Sequence, residues 1–442
     1  MKLARTLSVR LFCLFGILAL GAYPQLGGGP ASAATSGAGA VPSTVASALI
    51  FDYHIPAKQL EQDERSANVK YVWAANAPEV RGGPARHDYY LPWAQGWCPQ
   101  FGKPAAKCPY GGPPSFPWLK AHHPDWILWQ ANKRGLPTVP ASASGLPGPI
   151  LDFTNPALQQ YWVTHYIAPY LKQGFDGIAW DSNLILDPYS AVGHFDWRPP
   201  HHFIRLYSGK PVDSRWAHAQ ARALAQLLQR AKAVDRNAKF ALNTSFDCLY
   251  APMADWQLTL PYIDAIVDEE GYAFWGWGSN WIPSTPGPYC PNRWLAKTRA
   301  LIQFQKAGKR VALVNEEPLN VTPYMTDTDQ KARGYLQSAL ASYLLVKYSH
   351  TYFWFGGQQQ YGHEVLMQRE LLTNFGQPLG DMHHVRGVYV RWFTKGAALV
   401  NPDPNHSFTF TLQKNKYNTL YGQHVSRVTL AVHSGVVLTL VK

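Results

Sequence analysis

From residue 175 to residue 355 the chain alternates short apolar runs with longer amphipathic ones, and this alternation leaves few folds open. Segments 175–181, 239–243, 263–269, 310–315 and 351–355 have the β-branched and aromatic content of strands; 214–234, 293–307 and 328–347 have the periodicity of helices. Strands separated by helical spans form parallel pairs with right-handed crossovers, since a tight turn cannot return the chain to the same end of a sheet. Upstream, 48–53 and 69–75 add two strands, while 126–130 and 149–153 are shorter candidates. Asn155-Pro156 then caps a helix running to about Leu171. About eight such strands close on themselves, so the expected fold is α/β, a (β/α)8 TIM barrel over 48–380. Residues 76–117, rich in Pro and Gly, read as a loop insertion in it. After 385 the helices stop and short alternating strands follow, which predicts a small C-terminal antiparallel β-sandwich over 385–442.

The first 33 residues carry Lys2, Arg5 and Arg10, an apolar run over 11–21 and the small-residue site Ala31-Ser32-Ala33. That pattern predicts a cleaved signal peptide over 1–33 and a linker over 34–47, hence a secreted or periplasmic protein. The apolar run is shorter than the roughly 20 residues of a spanning helix, so no stable membrane insertion is expected after cleavage. Cleavage would remove Cys13 and leave four cysteines, an even number suited to an oxidising compartment. Cys98 with Cys108 and Cys248 with Cys290 are the expected disulfides. The formal charge of +12 is spread without a Lys/Arg block, which argues against nucleic acid and for a neutral or anionic polymer as partner.

Side chains at the C-terminal ends of barrel strands converge on one mouth. Asp181 ends the strand 175–181; Asp176 lies five residues earlier, roughly 16 Å away at the other end, and reads as structural. Two helix-strand units later, Glu269 and Glu270 end the strand 263–269. Because successive residues face opposite ways, only one of them enters the barrel, and Glu269 is taken as that one. Two facing carboxylates are what glycosidic bond cleavage requires, so Asp181 and Glu269 form the expected catalytic pair. Asn243, Glu316, Asp52 and Trp73 stand at or near other strand ends and, with Glu270, are expected to contact substrate. Trp275 and Trp277, in the Gly/aromatic loop 271–281, are expected sugar-stacking platforms. The histidines and Asp196 within 194–202 have no helical i, i+4 pairing and sit in a proline-broken loop, so no metal site is expected. There is no GxSxG, Walker loop or dinucleotide fingerprint, and no cofactor is expected.

The segments GFDGIAWD, ALNTS and IDAIVDEEG, with the closing stretches FGQPLGDMHHVRGVYVRWFTKGAALVNPDPNHSFTFTL and VHSGVVLTL, resemble barrel glycosidases of the endo-α-1,4-polygalactosaminidase kind. They also resemble a related hypothetical glycosyl hydrolase family 15-like group. The resemblance runs from about Leu151 to the C-terminus. It implies Asp181 and Glu269 as the acidic pair, Asn243 as a cleft residue and an accessory β-sandwich. The doubled Glu269-Glu270, the cysteine-bearing insertion and the Trp-rich loop depart from that pattern.

The expected function is therefore a secreted glycoside hydrolase cleaving a polysaccharide or exopolysaccharide by a two-carboxylate mechanism. The alternatives are a polysaccharide-binding barrel without catalysis and a metal-dependent deacetylase built on 194–202.

Overall fold

A computed structural model describes residues 44–50, 58, 68–75, 85–92, 116–132, 135–138, 150–181, 191–196, 198, 202–208, 213–244, 253–273, 290–317, 330–357 and 368–441. All of them lie in the unit Gly39–Lys442. The expected signal peptide and most of the linker, together with Asp52, Trp275, Trp277, Cys98, Cys108 and Cys248, fall outside the described residues.

Eight parallel strands close into a barrel: β1 (Ser47–Ile50), β2 (Val69–Ala75), β3 (Arg86–Pro92), β4 (Gly177–Asp181), β5 (Phe240–Thr244), β6 (Ala265–Asp268), β7 (Arg310–Glu317) and β8 (Thr351–Gly357), each paired with its neighbours in sequence and β8 with β1. Three long helices cover the outside of its second half. These are α1 (Ser214–Val234), capped by Asp213 on the Arg215 N–H, α2 (Arg293–Lys306), capped by Asn292 on the Leu295 N–H, and α3 (Gln330–Val346).

The third strand corrects the expectation from sequence. Segments 126–130 and 149–153 do not enter the barrel; Ile127–Leu128 and Ile150–Leu151 form a separate antiparallel pair. The barrel strand is Arg86–Pro92, inside the stretch expected to be loop. Its sequence, RHDYYLP, hides it because the charged Arg86 and Asp88 point into the barrel. Arg86 Nε donates to Asp88 Oδ1 at 2.7 Å, Tyr71 Oη donates to Asp88 Oδ2 at 2.7 Å, and Arg86 also pairs with Asp264. These groups plug the N-terminal end of the barrel. Gly177 leaves room for them, since a Cβ there would stand 2.6 Å from Asp88 Oδ1. A buried charge is tolerated only when paired and hydrogen-bonded, as here.

Above the plug the barrel is filled asymmetrically. One wall contributes Ala179, Ala241, Ala265 and Ala312 from β4 to β7; the other contributes Tyr71, Trp73, Tyr352 and Trp354 from β2 and β8. Small residues on one side accept the rings of the other, which fills the lumen at interior density. All eight side chains are buried. The same alternation aims the residues further along these strands at the mouth.

At the C-terminus, six strands form one sheet in the order β9 (His383–Val385), β10 (Val388–Phe393), β11 (Gly396–Asn401), β16 (Ser434–Leu440), β13 (Tyr417–Thr419) and β14 (His424–Val425), and a second layer holds only β12 (Phe408–Thr411) and β15 (Arg427–Leu430). The larger sheet packs on α3. Gly435 is required there, because a Cβ would lie 2.8 Å from Ala341 Cβ. Arg391, buried in β10, donates through Nη1 to the carbonyls of Leu344, Leu345 and Lys347 at 3.1, 3.2 and 2.6 Å. It satisfies carbonyls that the helix end leaves without partners.

Lys347, just past α3, donates to the Thr44 carbonyl at 2.6 Å and so ties down the chain entering β1. Burial, then the nearby Arg391 charge, lowers its pKa to about 7. An unfolded chain holds that proton up to roughly pH 10.4. Between about 7 and that value the unfolded state binds more protons than the folded one, so stability rises with pH, by at most about 1.4 kcal/mol per pH unit. Tyr343 and Tyr272, whose pKa values burial raises, act in the opposite sense only above their ordinary range. Urea midpoints should therefore climb from pH 7 to pH 9 in the native chain and climb less in Lys347→Met; equal slopes would refute the assignment.

Candidate active site

The parity of the barrel strands decides what reaches the mouth. On β4, Ala179 faces the lumen and so does Asp181; on β5, Ala241 and Asn243; on β6, Ala265 and Val267, with Glu269 two residues on; on β7, Ala312 and Val314, with Glu316 next. Asn243 sits on the strand between the two acids, and its buried side-chain amide joins them. Nδ2 donates to Asp181 Oδ1 at 2.8 Å and to Glu269 Oε2 at 2.5 Å. The second oxygen of Asp181 accepts from Tyr90 Oη at 2.7 Å. Asp181 thus uses both oxygens as acceptors, the pattern of an ionised carboxylate. Asp181, Glu269 and Tyr90 are partly exposed, whereas Asn243 is 8% exposed, so the acids open to the mouth over a buried amide.

Glu269 is held by its backbone. Residues 268–271 make a turn closed by the Gly271 N–H on the Asp268 carbonyl at 3.1 Å, with Glu269 and Glu270 at its corners. Gly271 admits no side chain, as a Cβ would stand 2.2 Å from the Val314 carbonyl oxygen. Lys297 of α2, fully buried, fills the turn from below. Its Nζ lies 3.0 and 2.9 Å from the two Asp268 oxygens and donates to the carbonyls of Gly271 at 2.6 Å and Glu270 at 3.3 Å. One ammonium therefore fixes the residues on both sides of Glu269.

Asp181, Glu269 and Asn243, each expected at the mouth, are brought into one hydrogen-bonded group. Glu270 contributes its carbonyl to the Lys297 anchor, and Glu316 is 1% exposed at the end of β7, with its N–H on the Ala273 carbonyl. Trp73 departs from its expected role as a substrate contact. It is buried in the barrel filling and meets Tyr90 edge-on at 6.0 Å, supporting the Asp181 partner rather than offering an open face. Asp176 accepts from the His87 N–H at 2.9 Å at the far end of the barrel, a structural role.

Two residues escaped the sequence reading. Tyr90 was hidden with its strand. Lys297 had a legible signal: it shares the buried stripe of α2 with Trp294, Thr298, Leu301, Phe304 and Gln305, where a solvated lysine does not belong.

Elsewhere, Asp152 accepts from the Thr154 N–H and hydroxyl and pairs with His194 Nε2 at 2.8 Å, turn chemistry away from the acid pair. Among the described residues no group of three His, Cys, Asp or Glu side chains is placed to hold a metal ion. Cys290 is disulfide-bonded. No helix among the described residues is long and apolar enough to cross a membrane.

Residues 106–397, well over half of the chain, match the family described as hypothetical glycosyl hydrolase family 15. The matched region holds Asp181, Asn243, Glu269 and Lys297 but not Tyr90. No curated protein matches the chain. Among solved structures, the glycoside hydrolase domain of PelA from Pseudomonas aeruginosa aligns at 12% identity over 73% of this chain and 98% of its own, with a TM-score of 0.42. A cycloalternan-degrading enzyme from Trueperella pyogenes aligns at 12% identity over 92% of this chain and 63% of its own, with a TM-score of 0.45. An Anoxybacillus alpha-amylase aligns at 12% identity over 87% and 78%, with a TM-score of 0.39.

Proposed function

This chain belongs to hypothetical glycosyl hydrolase family 15 and is a glycoside hydrolase, and from that premise we propose that it cleaves a polysaccharide with Asp181 as nucleophile and Glu269 as acid and base, retaining the anomeric configuration. The observation that carries this is the Asn243 amide bonded to both carboxylates. Their nearest oxygens lie no farther apart than the two bond lengths laid end to end. That ceiling lies short of the roughly 6.5–9.5 Å that leaves room for water in inverting pairs, which favours the closer spacing of retaining ones.

In the first step an Asp181 oxygen bonds to the anomeric carbon as the bond to the leaving oxygen breaks, and Glu269 gives its proton to that oxygen. In the second, water gives a proton to Glu269 and bonds to the same carbon, and the ester to Asp181 breaks. Asn243 donates to Glu269 Oε2, so the amide that holds the nucleophile also holds the acid. Tyr90 and Asn243 hold Asp181 from its two oxygens, so its orientation is set before substrate arrives. The signal-like N-terminus supports a secreted or periplasmic site of action, and a Cys248–Cys290 bridge would suit that compartment.

The test is reducing-end release from a panel of exopolysaccharides, hexosamine-containing polymers included, with the first-formed anomer followed by proton NMR. We expect cleavage of at least one polymer with the starting configuration retained. An inverted first product would refute the nucleophile assignment, and tight binding without cleavage of any polymer would refute hydrolysis of these substrates.

A further inference from the structure

The second layer of the C-terminal domain has two strands against six in the first, so it cannot cover the whole inner face of the larger sheet. Where cover ends, a cavity of about 680 Å³ opens, with Trp392, Phe410 and Tyr417 among its lining. Along β10, Val388 and Val390 face the sandwich interior and are buried, but Trp392, next in the same alternation, is partly exposed. Its ring lies 6.3 Å from that of Phe410 and 5.8 Å from that of Tyr417, making a three-ring floor. The rim is polar and exposed: Thr394, Gln413 and Lys416. Among the described residues, Lys416 is the one charged residue lining the cavity, its Nζ 5.9 Å from the centre of the Tyr417 ring, and Lys395 and Lys414 beside the rim are also exposed. No carboxylate of the described residues lines the cavity.

We propose that this cavity is a second glycan-binding site, separate from the barrel mouth, that takes an anionic polysaccharide segment with a sugar ring on the aromatic floor and its carboxylate at Lys416. Apolar C–H faces of pyranoses stack on such rings, while hydroxyls and amides at a rim pair with ring substituents. The basic rim, with no opposing acid among the described residues, selects a negative charge over a neutral or positive one. The site depends on the chain being a glycan-directed enzyme and not on the assignment of Asp181 or Glu269. It would hold polymer while another stretch occupies the mouth, raising the local substrate concentration without a new catalytic group.

The experiment is calorimetric titration of the full chain, carrying Asp181→Asn and Glu269→Gln to silence the mouth, with oligogalacturonate, a neutral dextran oligomer and a chitosan oligomer. We expect oligogalacturonate to bind most tightly, Trp392→Ala to weaken it at least tenfold and Lys416→Glu to weaken it at least threefold, with the dextran affinity unmoved by Lys416→Glu. Lys416 is exposed, so this variant tests the site even if Trp392→Ala fails to fold. Absence of oligogalacturonate binding, equal affinity for the three oligomers, or binding that both variants leave intact would each overturn the proposal. If instead the hydrolase reading failed and this site held, the binding series would stand with no polymer cleaved.

Discussion

Asp181→Asn will lower kcat/KM by about a thousandfold or more while leaving the fold in place. The substitution keeps size and shape, and the Tyr90 hydroxyl, which donates to Asp181 Oδ2 at 2.7 Å, can accept from an amide nitrogen instead. What is lost is the oxygen proposed as the nucleophile, and removing a nucleophile or its activating partner costs this much or more. Glu269→Gln will also fall by two or more orders of magnitude on natural glycans, the range of general acid catalysis. The two variants part company on an aryl glycoside, whose leaving group departs without a proton. Glu269→Gln will regain much of its first-step rate there, and Asp181→Asn will not. Recovery in the Asp181 variant instead would show that the two carboxylates exchange roles. Equal, near-native activity in both would remove the pair from the chemistry altogether.

The second large effect lies behind the mouth. Lys297→Met leaves Asp268 buried without its cation, and breaking a buried ion pair costs about 3–5 kcal/mol. Activity will fall as well, for Lys297 fixes the Gly271 and Glu270 carbonyls that frame Glu269. The pair Lys297→Met with Asp268→Leu separates these consequences. Replacing both partners by apolar groups of similar volume restores most of the stability, but no ammonium then reaches the Gly271 and Glu270 carbonyls. Thermal stability should return towards native, and kcat should stay depressed with KM little changed, as when a transition-state contact is displaced. Native kcat in the double variant would make Lys297 a purely structural residue.

Both predictions depend on features with different legibility in the sequence. The strands from 175 onward and the three long helices could be read because the residues they bury are apolar and recur at periods of 2 and 3.6. Helix α1 has the predicted bounds, 214–234, and α2 ends one residue earlier than expected. The third strand could not be read. Arg86 and Asp88 face inward and neutralise one another in the plug, so the strand carries charge where an apolar residue is the ordinary sign of burial. Missing it also hid Tyr90, and it turned a barrel strand into an expected loop.

The candidate site divides in the same way. Asp181, Asn243 and Glu269 could be named because each ends an apolar run, and strand alternation admits only one of Glu269 and Glu270 to the barrel. Chain order and alternation are local properties, written residue by residue. They determined the fold class, which end of the barrel holds the acids and which side chains face inward. They contain no distances across the barrel. That one amide bonds both acids, that Tyr90 reaches Asp181 from a neighbouring strand, and that Lys297 enters the turn beneath Glu269 follow from closing the barrel and packing α2 against it. Those contacts join residues dozens of positions apart in the chain, and the short span between the two acids exists only once β4, β5 and β6 lie side by side.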